Sequence, residues 1–212
     1  MKKIILFDLD GTLIDSTDAI LEGFFHSIDR HRDISGIEAG DILAQIGHPL
    51  EKMFDALGVS ESLIDSHVSV YKEYYRTIAT AKTTLLENAK EAILEADEFA
   101  TLGVVTTKTA LYSRDILEHL GVMSYFDVLI GREDVINPKP DAEPIKKALA
   151  ALGAYDRAWM IGDTTMDIES AANANIDSVA VLSGYHDFKK LNLVAKNIKN
   201  DSLEAVRFIR EF

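Results

Sequence analysis

Two aspartates separated by one residue follow a short apolar run near the start of the chain. The run Ile4–Phe7 stops at Asp8, and Asp10 precedes a glycine, Gly11. An all-apolar run of this length is typical of a strand that is covered on both faces. Carboxylates at the end of such a strand repel each other and are costly to remove from water. This pair therefore points to chemistry rather than to packing.

Further polar residues follow three later apolar runs. The run "LGVV" is followed by Thr106, Thr107 and Lys108, and Lys139 lies in "INPKPDAEP". The run "AWMIGD" ends with Asp163, and Asp167 follows four residues later. Carboxylates from Asp8, Asp10 and Asp163 around one point require a positive charge between them. Oxygen ligands without a nearby histidine or cysteine favour Mg²⁺, which also binds phosphate oxygens. Asp167, one helical turn after Asp163, could bind the cation directly or through water, or could orient groups of the loop.

These residue types fit the transfer of a phosphoryl group. Asp8 is the natural nucleophile, because an aspartyl-phosphate divides one difficult displacement into two easier ones. Asp10 would protonate the leaving oxygen and then deprotonate the attacking water. The Thr106 hydroxyl and the Lys139 ammonium would bind phosphoryl oxygens. Gly11 allows a close approach of the backbone that a side chain would block.

The elements that must position these residues alternate between strands and helices. Strands are predicted at Ile4–Phe7, Leu102–Val105, Val128–Ile130, Ala158–Ile161 and Val179–Leu182, with helices at Arg114–Leu120 and Ala142–Leu152 and a loop entering a helix between Asp163 and Ala174. This alternation predicts an α/β fold, a doubly wound parallel sheet. Ligands of such sheets bind outside the carboxyl ends of the strands, where the polar residues fall.

Residues 16–80 interrupt the alternation. Helices are predicted at Thr17–His31, Ile37–Ile46, Leu50–Leu57 and Ser62–Ile78, without a convincing strand. The chain is therefore expected to form a Rossmann-like core from residues 1–15 and 81–212, with residues 16–80 as an all-helical cap. A cap inserted after the first strand would act as a lid and choose the substrate.

The bulk composition limits the partners. The 212 residues carry a formal net charge of -13, with 35 acidic and 22 basic side chains and no cysteine. This charge argues against binding to nucleic acid or to an anionic membrane. The apolar run that begins the chain is too short for a secretion signal, so a cytoplasmic location is expected. The predicted partner is a small phosphorylated metabolite, and the protein is expected to be a monomer or a homodimer.

Four segments in this order, "DLDGTLIDS", "VVTTK", "KPDAEP" and "IGDTTMDI", resemble the motifs of the haloacid dehalogenase superfamily. The resemblance implies a phosphatase with a Rossmann-like core and a helical cap of the first type. It implies Mg²⁺ held by the Asp8 side chain, the Asp10 backbone carbonyl and Asp163. The segments "IGHPLEKMF", "TTK" and "LSGYHD" look most like phosphoglycolate phosphatases, which makes phosphoglycolate the first expected substrate. Substrate contacts are expected from Gly11, Thr12, Thr107, Lys108 and His48.

The sequence is also compatible with other functions. Pyrophosphatase or 5′-nucleotidase activity would use the same site. A sugar-phosphate mutase would too, although relatives of that kind usually carry an arginine where this chain has Gly47-His48-Pro49. A phosphate sensor without catalysis is a third class. The departures Thr107 and Ala142, where relatives usually have asparagine and proline, lie outside the catalytic set. Four histidines, His26, His31, His48 and His67, match no common metal pattern and are expected on the surface.

Overall fold

The computed structural model describes residues 2–212. Its strands are β1 (Lys3–Phe7), β2 (Ile14–Asp15), β3 (Thr84–Leu85), β4 (Ala100–Val105), β5 (Val128–Ile130), β6 (Arg157–Gly162), β7 (Asp177–Val181) and β8 (Ile198–Lys199). Its helices are α1 (Thr17–His31), α2 (Ala39–Leu43), α3 (Leu50–Ala56), α4 (Glu61–Ile78), α5 (Ala89–Asp97), α6 (Ala110–His119), α7 (Glu143–Leu152), α8 (Thr165–Asn173), α9 (Phe188–Leu191) and α10 (Ser202–Arg210). Two short 3₁₀ turns lie at Met123–Tyr125 and Arg132–Asp134.

Six strands form one parallel sheet in the order β5-β4-β1-β6-β7-β8. Strand β1 is central, and its last residue, Phe7, pairs with Val104 of β4 and Ile161 of β6. The carboxyl ends of these three strands consequently lie side by side. The α/β parallel-sheet prediction is confirmed, because every predicted strand belongs to this sheet.

The strands are apolar because both faces of the sheet are covered. Ile4, Ile5, Leu6 and Phe7 are all fully buried. Successive side chains of the strand lie on opposite faces of the sheet, and Ile4 and Leu6 belong to a hydrophobic cluster that includes Ile145 of α7. A strand with no solvent-facing side cannot alternate between polar and apolar residues, so its sequence reads as one continuous run. This run ends at the residue that leaves the sheet, Asp8.

The chain divides into two compact units. One contains the sheet and comprises the chain up to Asp15 and residues 84–212, and the other is Ser16–Thr83. The second unit is helical, with α1 packed on α4 and α2, and α3 packed on α4. Its interior includes three aromatic rings, those of Phe24, Phe54 and Tyr71.

The expectation that the four histidines lie on the surface is wrong for His67. This side chain is fully buried. Its Nδ1 lies 2.9 Å from Ser27 Oγ, its Nε2 lies 3.0 Å from Asp33 Oδ1, and its ring stacks on that of His31 at a centroid distance of 3.8 Å. Polar partners on both ring nitrogens make this burial possible, since an unsatisfied buried polar group would cost free energy. His48, in contrast, is exposed.

Several element boundaries differ from the predictions. The helix predicted at Ile37–Ile46 is limited to Ala39–Leu43, and the one predicted at Arg114–Leu120 begins earlier, at Ala110. The sequence reading missed α5, α9, α10, β8 and the short antiparallel pair β2–β3. The last two helices follow β7, where the short apolar runs of the sheet end.

Candidate active site

Asp8 begins the site at the end of the central strand. Its backbone N–H donates to the carbonyl oxygen of Ile161 at 2.9 Å, which extends the pairing of β1 with β6 by one residue. The Asp8 side chain is buried, and its Oδ1 lies 2.9 Å from the Nζ of Lys139. The sheet therefore fixes the backbone of this aspartate, and a lysine from a distant segment fixes its carboxylate.

Lys139 lies at the centre of three oxygen atoms. Its Nζ is 2.9 Å from Asp8 Oδ1, 2.5 Å from Asp167 Oδ1 and 3.0 Å from the carbonyl oxygen of Val105. The residue is only 3% exposed. Burial alone would lower the pKa of Lys139, but the Asp167 and Asp8 carboxylates outweigh it and raise the pKa above its ordinary value. The ammonium group therefore stays charged and holds two carboxylates together.

Asp163, at the end of β6, is held through both of its oxygens. Thr12 Oγ1 donates to Oδ1 at 3.0 Å, and the backbone N–H of Tyr185 donates to Oδ2 at 2.8 Å. Two glycines allow this arrangement. A Cβ at Gly11, whose φ is +78°, would lie 2.4 Å from Asp163 Oδ2, and a Cβ at Gly184 would lie 2.1 Å from the same atom. The site thus requires residues without side chains on two of its walls.

Asp167 both caps the start of α8 and forms an ion pair with Lys139. Its Oδ2 accepts hydrogen bonds from the backbone N–H and the hydroxyl of Thr164, at 3.0 and 2.7 Å, in a capping box at the start of α8. Its Oδ1 faces Lys139. Both oxygens are therefore engaged, which suits a supporting acid better than a direct metal ligand.

Carboxylate oxygens of Asp8, Asp163 and Asp167 all lie within 4.8 Å of one another, and all three residues are buried. Burial raises the pKa of Asp8 to about 7, although the Lys139 ammonium opposes this effect. Burial, together with the charges of Asp167 and Asp8, also raises the pKa of Asp163 well above its usual range. The cluster carries more negative charge than one lysine balances. A divalent cation fits this donor set, because carboxylate oxygens are its preferred ligands.

Asp10, in contrast, points to a second lysine. Its Oδ2 lies 3.2 Å from the Nζ of Lys108. Lys108 follows β4, where its backbone N–H donates to Thr106 Oγ1 at 3.2 Å. Thr106 is buried at the same strand end, and its own N–H donates to Ile130 of β5. The structure thus brings Asp8, Asp10, Thr106, Lys108, Lys139, Asp163 and Asp167 together at one edge of the sheet.

The remaining predicted contacts are distributed differently. Gly11 and Thr12 belong to the turn after β1 and contribute to the surroundings of Asp163. Thr107 is half-buried beside Thr106. His48 belongs to the other compact unit, in the turn between α2 and α3.

The sequence reading missed the contribution of residues 183–186, a loop that we call the β7 loop. Ser183 Oγ donates to the carbonyl oxygen of Gly11 at 2.9 Å, and the backbone of Tyr185 binds Asp163. His186 Nδ1 accepts a hydrogen bond from the backbone N–H of Thr165, the first residue of α8. The order of the elements could have indicated this contribution, because the loop follows a predicted parallel strand and therefore begins at the same edge of the sheet as the other site residues.

A central parallel strand is followed here by Asp-x-Asp, with a lysine from the loop before α7, an acid at the end of β6 and another in the first turn of α8, and this arrangement defines a class of hydrolase. Residues 5–181 match the family of haloacid dehalogenase-like hydrolases, and the chain belongs to that family. It is a phosphatase enzyme with the Rossmann-like fold of that family. No helix within residues 2–212 is long and apolar enough to cross a membrane.

Several individual proteins are similar to this chain over most of its length. The chain is 33% identical to a probable phosphatase IndB from Dickeya dadantii, over 97% of this chain and 92% of that protein. It is 34% identical to the pyrophosphatase PpaX of Bacillus velezensis, over 84% of this chain and 82% of that protein. A crystal structure of a putative haloacid dehalogenase-like hydrolase from Bacteroides fragilis has a TM-score of 0.91 and 27% identity, over 97% of this chain and 100% of that one.

Proposed function

We propose that this protein is a Mg²⁺-dependent phosphatase that hydrolyses a small phosphorylated metabolite through an aspartyl-phosphate. The observation that carries this proposal is the Asp8 carboxylate, fixed at the strand end between Lys139 and two further buried acids. Phosphoglycolate is the first substrate to test. Inorganic pyrophosphate is the second, since a relative of similar length bears the name pyrophosphatase.

The first half-reaction would transfer the phosphoryl group to Asp8. An oxygen of the Asp8 carboxylate attacks phosphorus, so that a new O–P bond forms while the bond from phosphorus to the leaving oxygen breaks. Asp10 gives its proton to that leaving oxygen. The Thr106 hydroxyl and the Lys139 ammonium donate hydrogen bonds to phosphoryl oxygens, which lowers the cost of the charge that develops there.

The second half-reaction returns the enzyme to its starting state. Asp10, now ionised, takes a proton from a water molecule as the water oxygen bonds to phosphorus. The bond between phosphorus and the Asp8 oxygen breaks, and inorganic phosphate leaves with the water oxygen. Asp10 thereby regains the proton that it gave away, so that one water is consumed for each phosphate released.

Mg²⁺ would be held by the Asp8 side chain, the Asp10 backbone carbonyl and Asp163, with Asp167 in support. When bound, it supplies positive charge that lets the phosphoryl group approach the carboxylates. The residues present fit this ion, because Asp163 is fixed by two hydrogen bonds that leave oxygen lone pairs available. Asp167 instead keeps Lys139 oriented through its own contact of 2.5 Å.

The assignment of residues 16–80 as a cap, with substrate contacts from His48, remains a prediction. So do the cytoplasmic location and the monomeric or dimeric state. The cap would set substrate choice while the sheet edge carries out the chemistry.

The test is a phosphate-release screen over phosphoglycolate, pyrophosphate, nucleoside monophosphates and glucose phosphates, with Mg²⁺ and with a chelator. Asp8→Asn should abolish turnover while the fold, followed by circular dichroism, is kept. Asp97→Asn, an exposed aspartate of the same unit, is the matched control and should keep full activity. Turnover by Asp8→Asn would contradict the covalent scheme, and a glucose phosphate isomer formed without phosphate release would identify a mutase instead.

A further inference from the structure

The two lysines of the site have different surroundings. Lys139 Nζ contacts three oxygen atoms that belong to Asp8, Asp167 and the backbone of Val105. Two of its N–H groups donate hydrogen bonds to Asp167 Oδ1 and to the carbonyl oxygen of Val105, and the ammonium forms an ion pair with Asp8, so that it faces a phosphoryl group bound at Asp8. Lys139 is thus committed to the side of the site that holds the nucleophile. It is badly placed to recognise the part of the substrate that departs.

Lys108 lies instead on the side of Asp10. Its Nζ is 3.2 Å from Asp10 Oδ2, and its side chain is only 8% exposed. Under the proposed function, on which this inference rests, Asp10 exchanges a proton with the leaving oxygen. A leaving oxygen within hydrogen-bond distance of Asp10 Oδ2 lies no more than about 6 Å from Lys108 Nζ. The ammonium therefore adjoins the leaving group.

We propose that Lys108 makes the enzyme selective for substrates whose leaving group carries its own negative charge. A shielded ammonium attracts such a group more strongly than a fully solvated one, because less water screens the interaction. An uncharged leaving group gains nothing from Lys108. The preferred class then comprises phosphoglycolate-like and pyrophosphate-like substrates, ahead of nucleoside and sugar monophosphates.

Phosphoglycolate and its amide, phosphoglycolamide, form a matched pair of substrates. They share the scissile bond and nearly the same shape, and they differ in the charge of the leaving group. Wild-type enzyme should show a higher kcat/KM for the carboxylate. Lys108→Met should lower kcat/KM for the carboxylate by about 10- to 100-fold, the usual effect of losing a hydrogen bond to a charged group. The amide should change less than about threefold.

Two further variants separate charge from structure. Lys108→Arg should retain most of the preference for the carboxylate, because it keeps the positive charge. Lys189→Met removes an exposed lysine from the same unit and should leave both substrates unchanged. If Lys108→Met lowers turnover of both substrates equally, the lysine acts on the reaction through Asp10 alone and the inference is overturned.

Binding of the unreactive analogues phosphonoacetate and phosphonoacetamide, measured by calorimetry at fixed free Mg²⁺, decides the inference without turnover. Wild-type enzyme should prefer the carboxylate, and Lys108→Met should lose that preference. Equal binding of the two analogues by wild-type enzyme would overturn the inference. A wild-type enzyme that hydrolysed no phosphate compound would defeat the proposed function, yet the binding comparison would still give its own answer.

Discussion

Gly184 permits a close approach to Asp163, and replacing it with alanine tests how the acid is held. The new Cβ would stand 2.1 Å from Asp163 Oδ2 and 2.4 Å from its Cγ. Ordinary contact begins near 3.4 Å. The carboxylate or the β7 loop must therefore move by about 1.3 Å, the difference between those distances. The backbone of Gly184 is not in the left-handed region, so this clash is the main cost.

A movement of that size breaks the hydrogen bond of 2.8 Å from the Tyr185 N–H to Asp163 Oδ2. A hydrogen bond to a charged group contributes roughly 1.5–3 kcal/mol. Residues that orient metal ligands typically change metal affinity by about 10- to 100-fold, which corresponds to roughly 1.4–2.8 kcal/mol. The two ranges agree, so we expect Gly184→Ala to weaken Mg²⁺ binding by about 10- to 100-fold.

The assay is a calorimetric or thermal-shift titration with Mg²⁺. Gly40→Ala is the matched control, because a Cβ at this exposed position meets nothing within 4 Å. Thr12→Val removes the other hydrogen bond to Asp163 without a clash and should weaken Mg²⁺ binding in the same direction, whereas Thr12→Ser should not. Mg²⁺ affinity within about twofold of wild type for a folded Gly184→Ala protein would refute this account of the β7 loop.

Two further results are expected. Burial raises the pKa of Asp8 to about 7, so that the folded metal-free protein keeps a proton that the unfolded chain loses near pH 4. The free energy of unfolding should therefore fall as the pH rises from about 4 to 7. The rise in Tm that Mg²⁺ produces over a chelator should therefore grow across that range, and a rise that is independent of pH would contradict it. His67→Leu should lower the free energy of unfolding in urea by about 2–3 kcal/mol, because Asp33 and Ser27 lose a partner in the helical unit. A loss below about 0.5 kcal/mol would show that these hydrogen bonds contribute little.

The sheet and most of its site were predictable because they depend on residue type and order. Strand β5 was predicted with its observed bounds, Val128–Ile130, and the other predicted strands differ from the observed ones by one or two residues at an end. A buried parallel strand must be apolar throughout, so the first polar residue after it marks the sheet edge. Asp8, Thr106 and Asp163 each follow a strand in this way.

The β7 loop was not predictable by the same reasoning. Its contributions come from a backbone N–H at Tyr185 and from the missing side chain of Gly184. Neither has a residue-type signature, since every residue except proline has an N–H and glycine is common in loops. His67 was misplaced for a related reason. Its partners are 40 and 34 residues away in the sequence, and only the packing of α1 against α4 brings them together.

The charges of the candidate site would be balanced by a divalent cation. Four carboxylates, those of Asp8, Asp10, Asp163 and Asp167, face two ammonium groups, those of Lys108 and Lys139. With all six groups ionised the site has two excess negative charges, and burial together with the neighbouring carboxylates raises the pKa values of Asp8 and Asp163. A divalent cation balances that excess without protons. Under the proposed function, Asp8 would then stay ionised as the nucleophile, and an anionic phosphate could approach a protein whose formal net charge is -13.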